Sequence, residues 1–119
     1  MLQITDQMKQ KFKVELMDEV DDFLNSLNNK ARKKIIYNIW KAQVINDSEL
    51  FKKLNDNVWE FRTLHSKTYY RLFAFWDKTD KTETVVVSTH GIEKKKGKTP
   101  PKEIEKTERI MKQYFDAKK

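Results

Sequence analysis

The stretch that decides the fold is residues 58–89, VWEFRTLHSKTYYRLFAFWDKTDKTETVVVST. It holds three runs rich in aromatic and β-branched residues, at 58–64, 69–77 and 83–89. Such residues favour β-strands. Short polar segments at 65–68 and 78–81 separate the runs, as expected for turns. The sequence therefore predicts three consecutive strands in an antiparallel meander.

A strand and two helices are predicted before this meander. Apolar and charged residues alternate from Phe12 to Leu16, which is the two-residue period of a half-buried strand. Apolar residues within 20–27 recur at helical spacing, and Asp18 is the candidate N-cap. Asn28 and Asn29 end that helix, and a second one is predicted from about Lys30 to Val44. Two short helices joined by two asparagines are typical of an αα-hairpin.

A final helix is predicted after a basic loop at residues 93–98. Thr99-Pro100-Pro101 favours a helix start, because proline is tolerated in a first turn and Thr99 can serve as the cap. The predicted fold class is α+β: an N-terminal strand and helical hairpin, a three-stranded antiparallel meander joined to the first strand, and a C-terminal helix. We expect one domain over residues 1–119, the helices against one sheet face, and residues 1–10 loosely ordered.

Composition excludes several classes of chemistry. The chain has no cysteine, so it has no disulfide, thiolate metal site or cysteine nucleophile. Two histidines and no carboxylates clustered at ligand spacing predict no metal and no cofactor. Glycine-rich phosphate loops need more than Gly91 and Gly97. No apolar run resembles a signal peptide or a membrane span, so we expect a cytoplasmic protein that does not bind membranes.

The net charge of +7 is distributed unevenly. Residues 1–60 hold ten lysines and arginines against ten acidic residues, whereas residues 61–119 hold fifteen against eight. An excess of positive charge in one half indicates a polyanionic partner, although a basic surface that serves only solubility would give the same count.

Two arginines lie within the most apolar predicted strands. Alternation places Arg62 on the same face as Glu60, and it places Arg71 on the same side of its strand as Phe73 and Phe75. An unpaired charge is costly at such positions. A Glu60–Arg62 pair and a snorkelling Arg71 would be a purely structural explanation. Since a guanidinium binds phosphate through two hydrogen bonds, and a lysine-rich loop follows, we favour phosphate binding.

His90 and the lysine run after it complete the candidate site. His90 is predicted to end the last strand just before Gly91, where glycine permits a sharp turn, so that His90 lies at the sheet rim. A lone histidine is more often structural than catalytic. The run 94–98 precedes a helix N-terminus and could form one wall of an anion site, although such runs are usually solvated loops.

Four motifs carry a resemblance to a known family. They are residues 59–62 (WEFR), residues 70–75 (YRLFAF), residues 90–95 (HGIEKK), and residues 98–100 (KTP) followed by Glu103. Their order and spacing resemble the phage-derived HigB-like branch of the RelE/ParE toxin superfamily. The spacing from His-Gly to Lys-Thr-Pro is the most specific part, and the resemblance covers the chain from about Phe12.

The departures from the pattern are mild. Lys96 and Gly97 stand where the family often has threonine and glutamine, so this loop is more basic. Phe61 and Ala74 also differ from the usual residues. None of these changes removes a candidate functional group.

The resemblance implies a compact fold with a basic concave face that binds RNA. It implies the toxin of a type II toxin–antitoxin system, which cuts mRNA at the ribosome and is neutralised by a helix-turn-helix antitoxin. We expect a metal-independent endoribonuclease, in which the RNA 2′-hydroxyl attacks the adjacent phosphate and the protein positions the backbone, stabilises charge and moves protons.

Each candidate residue has an expected role in that reaction. Arg71 and Arg62 are assigned to the phosphate, with Arg71 the stronger candidate. Lys94 and Lys95 are candidates for proton transfer or oxyanion stabilisation, and His90 is the alternative general acid or base. A lysine base at neutral pH would need neighbouring cations to lower its pKa. The RNA backbone is expected to be held by Lys96 and Lys98.

Two other functions fit the same sequence. One is a gyrase inhibitor built on the same fold, since the superfamily also contains gyrase poisons and fold membership does not fix activity. The other is a non-catalytic module that binds nucleic acid or an antitoxin. Cleavage products distinguish the enzyme from both.

Overall fold

The computed structural model describes residues 9–94 and 97–119. Its strands are β1 (Lys13–Leu16), β2 (Phe51–Lys53), β3 (Trp59–His65), β4 (Thr68–Asp77) and β5 (Val85–Lys94). Its helices are α1 (Asp18–Asn25), α2 (Asn29–Val44) and α3 (Pro101–Ala117). Residues 1–10 were expected to be loosely ordered, and residues 1–8 of this segment lie outside the described part.

The five strands form one mixed sheet in the order β1-β5-β4-β3-β2. The meander β3–β5 is antiparallel, and β1 joins it by pairing parallel to β5. The α+β class, the meander and its junction with the first strand are thus confirmed. The edge strand β2 was not predicted, because its three residues, Phe-Lys-Lys, show no alternation that separates them from the polar link around them.

The two faces of the sheet are covered by different helices. Alternating residues of β4, such as Leu72 and Ala74, pack with the apolar faces of α1 and α2 in the main core. Phe75 points the other way and contacts the Tyr114 and Phe115 rings of α3, at centroid distances of 5.1 and 5.6 Å. The prediction that all helices lie against one face is therefore wrong. Since β4 carries large apolar residues on both of its faces, both faces must be covered.

The caps of two helices also differ from prediction. Helix α1 begins after Met17, and Asp18 is its first residue rather than its cap. Helix α3 begins after Pro100, and the Thr99 side chain caps nothing because it turns toward the sheet. Asn28 does cap α2, since its side chain accepts a hydrogen bond from the Ala31 amide at 2.8 Å.

The strand that carries His90 is longer than predicted. β5 continues through Gly91 to Lys94, so Gly91 makes no turn and His90 does not lie at a rim. Gly91 is required by packing instead. A Cβ at this position would lie 2.6 Å from Leu72 Cδ2 and 2.7 Å from Phe23 Cδ2. The glycine lets α1 pack directly on the sheet.

Replacing Gly91 with alanine should destabilise the fold by about 1–3 kcal/mol, because the added methyl group overpacks this contact. Chemical denaturation followed by circular dichroism measures the effect. The double variant Gly91→Ala/Phe23→Leu removes one clashing ring and should recover part of the loss. No loss of stability in Gly91→Ala would contradict the packing explanation.

Asp77, at the end of β4, anchors the C-terminal end of α3. Its carboxylate accepts hydrogen bonds from Tyr114 Oη at 2.6 Å and Lys118 Nζ at 2.8 Å, and from the backbone and hydroxyl of Thr79. Burial alone would raise the pKa of Asp77, but these donors outweigh it and hold the pKa well below its usual range.

The lowered pKa of Asp77 gives a pH-dependent prediction. Ionised Asp77 stabilises the fold at every pH above its unfolded-state pKa of about 3.9, and this contribution is lost as the pH falls toward the folded-state pKa. Asp77→Asn should cost about 2 kcal/mol at neutral pH. The difference in free energy of unfolding between Asp77→Asn and the wild type should shrink below pH ~4. Denaturation at pH 7 and pH 3 measures it, and a constant difference would contradict the assignment.

Candidate nucleic-acid interface

The register of β3 and β4 brings the two predicted arginines together. Arg62 lies directly opposite Arg71, and Glu60 lies opposite Phe73, so all of these side chains lie on one face of the sheet. Helix α3 packs on this same face, because Phe75 points to it and contacts the Phe115 ring. The pairing depends only on strand alternation and on the short turn between His65 and Thr68.

Glu60 lies at the centre of this group and is 1% exposed. Its Oε1 accepts a hydrogen bond from Thr99 Oγ1 at 2.8 Å. Its Oε2 lies 3.4 Å from Arg71 Nη1 and 3.5 Å from Arg62 Nε. The carboxylate thus balances two guanidinium groups and joins both strands to the segment before α3.

Arg71 is almost completely buried, at 3% exposure. Besides its contact with Glu60, its Nη1 donates to Thr99 Oγ1 at 3.0 Å and its Nη2 donates to the Gly97 carbonyl at 2.8 Å. Arg71 therefore holds the segment from Gly97 to Thr99 against the sheet. Within the described residues, its Nε has no hydrogen-bond partner.

Arg62 is more accessible than Arg71. Its side chain is 26% exposed, and its ionic contact with Glu60 is long, at 3.5 Å. Both guanidinium groups lie over the ring of Tyr69, at 5.7 Å for Arg62 and 5.5 Å for Arg71. Tyr69 thus fixes their positions by cation–π contact. The geometry leaves Arg62, rather than Arg71, free to meet a ligand directly.

An open cleft of about 350 Å³ lies over this group. Five cations line it: Lys52, Lys53, Arg62, Arg71 and Lys98. Among the described residues that line it, Glu60 is the single carboxylate, and Leu54 and Ile104 supply apolar walls. We call this feature the basic cleft. Its excess of positive charge suits a polyanion.

The predicted lysines are distributed around this cleft. Lys98 lines it. Lys94, at the end of β5, lies close to Gly97: its Cε is 3.5 Å from the position that a Cβ there would take. Because Gly97 bonds to Arg71, the Lys94 side chain lies beside the cleft. Lys95 and Lys96 fall outside the described residues.

His90 lies apart from the cleft and is 1% exposed. Its Nε2 lies 3.0 Å from Glu103 Oε1, its Nδ1 lies 2.8 Å from Thr89 Oγ1, and its ring packs on Phe73. Burial lowers the pKa of His90, and the hydrogen bond to Glu103 opposes this effect. A carboxylate can only accept, so Nε2 donates to Glu103 and Nδ1 accepts from Thr89. Both ring nitrogens are engaged within the protein, joining β5 to the first turn of α3.

Sequence reasoning missed four members of this group. Lys52 and Lys53 were overlooked because their strand was not predicted. Thr99 was assigned to a helix cap, and Glu60 was considered only as a structural partner for Arg62. The sequence did contain a signal for Glu60. This carboxylate shares a strand face with Arg62, so any site built on that arginine must also contain Glu60.

The described part of the chain lacks both a metal-binding cluster and a helix able to span a membrane. Residues 9–94 and 97–119 contain no group of three or more His, Asp or Glu side chains placed to hold a metal ion. In the same ranges, no helix combines the length and the apolar character needed to cross a bilayer.

Residues 22–112 match the family model described as phage-derived protein Gp49-like (DUF891). The chain belongs to this Gp49-like family. The match runs from α1 into the second half of α3, so it includes the whole basic cleft and His90. The family is toxin-like, in agreement with the broader resemblance of the sequence motifs. No curated protein shows a significant match to the chain.

Proposed function

We propose that this Gp49-like protein is a type II toxin of the RelE/HigB kind that cleaves mRNA at the ribosome without a metal ion. The observation that supports the proposal is the basic cleft, in which two strand arginines and three lysines surround one buried carboxylate. An RNA backbone supplies the repeated negative charge that such a cleft suits.

In the proposed reaction the 2′-hydroxyl oxygen attacks the adjacent phosphorus. The bond to the 5′-oxygen of the next nucleotide breaks, which leaves a 2′,3′-cyclic phosphate and a free 5′-hydroxyl. The 2′-hydroxyl proton must be removed, and the departing 5′-oxygen must gain one. The phosphorane-like transition state carries extra negative charge, which fixed cations stabilise more than they stabilise the ground state.

The residues divide these tasks according to their positions. Arg62 and Lys98 would contact the phosphate directly, and Arg71 would hold Glu60 and Thr99 in place while adding its charge from below. Glu60 is 1% exposed and both of its carboxylate oxygens are engaged, so it is proposed to hold the two arginines in place rather than to transfer a proton. Lys94 and Lys95 remain our candidates for transferring the protons of the 2′-hydroxyl and the 5′-oxygen, or for stabilising the oxyanion.

The remaining predicted residues keep supporting roles. We propose that Lys96 holds the RNA backbone together with Lys98. With both ring nitrogens engaged, His90 is proposed to position α3 and so the loop from Gly97 to Thr99, rather than to transfer a proton.

Expression of the protein followed by primer extension on cellular transcripts tests this function. We expect new 5′ ends within coding regions soon after induction, in parallel with growth arrest. A DNA supercoiling assay on the same cells distinguishes a gyrase inhibitor, which would change plasmid topology and leave transcripts uncut. That second pattern would overturn the proposal.

A non-catalytic RNA-binding module is the second candidate, and one observation favours it. Arg71 and His90 are buried, and most of their hydrogen-bonding groups are used to hold the fold together. Such a module would bind RNA with steep salt dependence and yield no cleavage products. Binding without cleavage on ribosomes would favour it over the enzyme.

A helix-turn-helix antitoxin is the proposed protein partner, and α2 offers a surface for it. Ile36 and Tyr37 are 50% and 55% exposed there. The helix carries four lysines and one arginine but no acidic residue. An acidic amphipathic segment of the antitoxin would complement this face in charge and apolarity. Tyr37→Asp should weaken co-purification with a helix-turn-helix protein encoded beside this gene, and unchanged co-purification would exclude α2 as the surface.

A further inference from the structure

We infer that the cavity between Trp59 and Trp76 is a nucleobase subsite, which stacks one base of the RNA strand whose backbone enters the basic cleft. The inference rests on the proposed RNA ligand and adds a place where the protein contacts a base. We call this feature the tryptophan cavity; it has a volume of about 280 Å³.

The tryptophan cavity adjoins the basic cleft. Besides the two indoles, it is lined by Lys53, Asp56, Asn57, Lys78 and Met111. Lys53 also lines the basic cleft, so one side chain forms part of both walls. Trp59 pairs with Ala74 on the face of the sheet opposite Arg62 and Arg71, so a strand with a phosphate in the cleft places a neighbouring base in the cavity by passing around the β2 edge at Lys53.

The aromatic groups are held rigidly from behind. The centroids of Trp59 and Trp76 are 5.6 Å apart with an interplanar angle of 77°. Phe51 stacks on Trp59 at 4.8 Å and contacts Trp76 at 5.8 Å. Both indoles remain partly exposed on the cavity side. A preformed aromatic platform loses little entropy when a flat ligand stacks on it.

The charges around the tryptophan cavity favour a nucleotide over an apolar ligand. Lys78 Nζ lies 5.2 Å from the centroid of the Trp76 ring, and Lys53, 55% exposed, lies 3.8 Å from the fully exposed carboxylate of Asp56. Lys78 can pair with one phosphate beside a stacked base, and Lys53 can exchange its long contact with Asp56 for another. Aromatic rings next to a cationic groove are the common design of proteins that bind single-stranded nucleic acids.

Core packing explains only part of this arrangement. The inner edges of Trp59 and Trp76 pack against the main core. Packing does not account for the open space on the outer side of the two indoles, which Lys53 and Lys78 flank. Experiments can therefore measure the proposed role in binding separately from the contribution to stability.

The test compares two short oligonucleotides that carry the same phosphates. One is a 2′-O-methyl hexaribonucleotide, which cannot be cleaved by 2′-hydroxyl attack, and the other replaces its bases with abasic sites. We expect the base-containing oligonucleotide to bind roughly 5- to 100-fold more tightly in fluorescence anisotropy titrations. It should also quench tryptophan emission, and the abasic one should not.

Variants assign that difference to the tryptophan cavity. Trp59→Leu should remove most of the preference for bases while leaving abasic binding within about twofold, because the basic cleft is retained. Trp40→Leu, the same substitution on α2, is the matched control and should keep the preference. Trp59→Phe, which retains a smaller ring, serves where the leucine variant does not fold.

The outcomes separate this inference from the proposed function. Equal affinity of the two oligonucleotides for the wild type, with unchanged tryptophan emission, would overturn the subsite and leave the basic cleft intact. A base preference that persists in folded Trp59→Leu would also overturn it. Failure of both oligonucleotides to bind at low salt would overturn the RNA ligand itself.

Discussion

Replacing Arg62 with alanine should lower RNA cleavage about 10²-fold or more, because it removes the cation proposed to contact the phosphate as negative charge develops. Stability should change by no more than about 1 kcal/mol, since Arg62 is partly exposed and its ionic contact with Glu60 is 3.5 Å long. Quantitative primer extension measures cleavage, and thermal denaturation confirms the fold.

The matched control is Arg109→Ala, which makes the same change in net charge at an exposed position on α3. Arg109 does not line the basic cleft. This variant should cleave RNA at close to the wild-type rate, so that loss in Arg62→Ala cannot be attributed to total charge. Full cleavage by folded Arg62→Ala would remove Arg62 from the site.

Replacing Arg71 with alanine should cost about 3–5 kcal/mol of stability, because it leaves the buried Glu60 without its closest cation. It also breaks the two hydrogen bonds that hold Gly97 and Thr99. Loss of cleavage in this variant alone would therefore not separate a local role from unfolding. Urea denaturation measures the cost.

A double-mutant cycle with Glu60 resolves that ambiguity. Glu60→Gln removes the buried charge, so Arg71→Ala/Glu60→Gln should be more stable than the sum of the two single effects by about 1–3 kcal/mol. The double variant should remain inactive although it is folded. Additive single effects would show that the Glu60–Arg71 contact does not couple the two strands.

Much of the fold follows from local patterns in the sequence. Alternation predicted that Glu60 and Arg62 share one side of β3 and that Arg71 shares one side of β4 with Phe73 and Phe75. The register then places both sets on the same face of the sheet. The helical hairpin was also predicted, although α1 ends at Asn25 and Asn28 serves only as the N-cap of α2. These features depend on spacing within one or two elements.

The features that could not be predicted depend on distant segments. Thr99 has the local pattern of a helix cap, but β3 and β4 bring Glu60 and Arg71 close enough to bond its side chain instead. Gly91 has the local pattern of a turn residue, but its absent side chain is required by the packing of α1. His90 was placed at a rim because that turn was expected. The tryptophan cavity needs β2, a strand too short to show a pattern. Long-range packing decides each of these cases.

The end groups of the cleaved RNA test the central claim most directly. A ribosome-bound mRNA with a single mapped cut site would be incubated with the purified protein, alongside the same mRNA carrying one 2′-deoxynucleotide before the cut. Reaction by 2′-hydroxyl attack in the basic cleft predicts a 2′,3′-cyclic phosphate, a 5′-hydroxyl and no cleavage of the deoxy substrate. Products with a 5′-phosphate, or cleavage of the deoxy substrate, would contradict it.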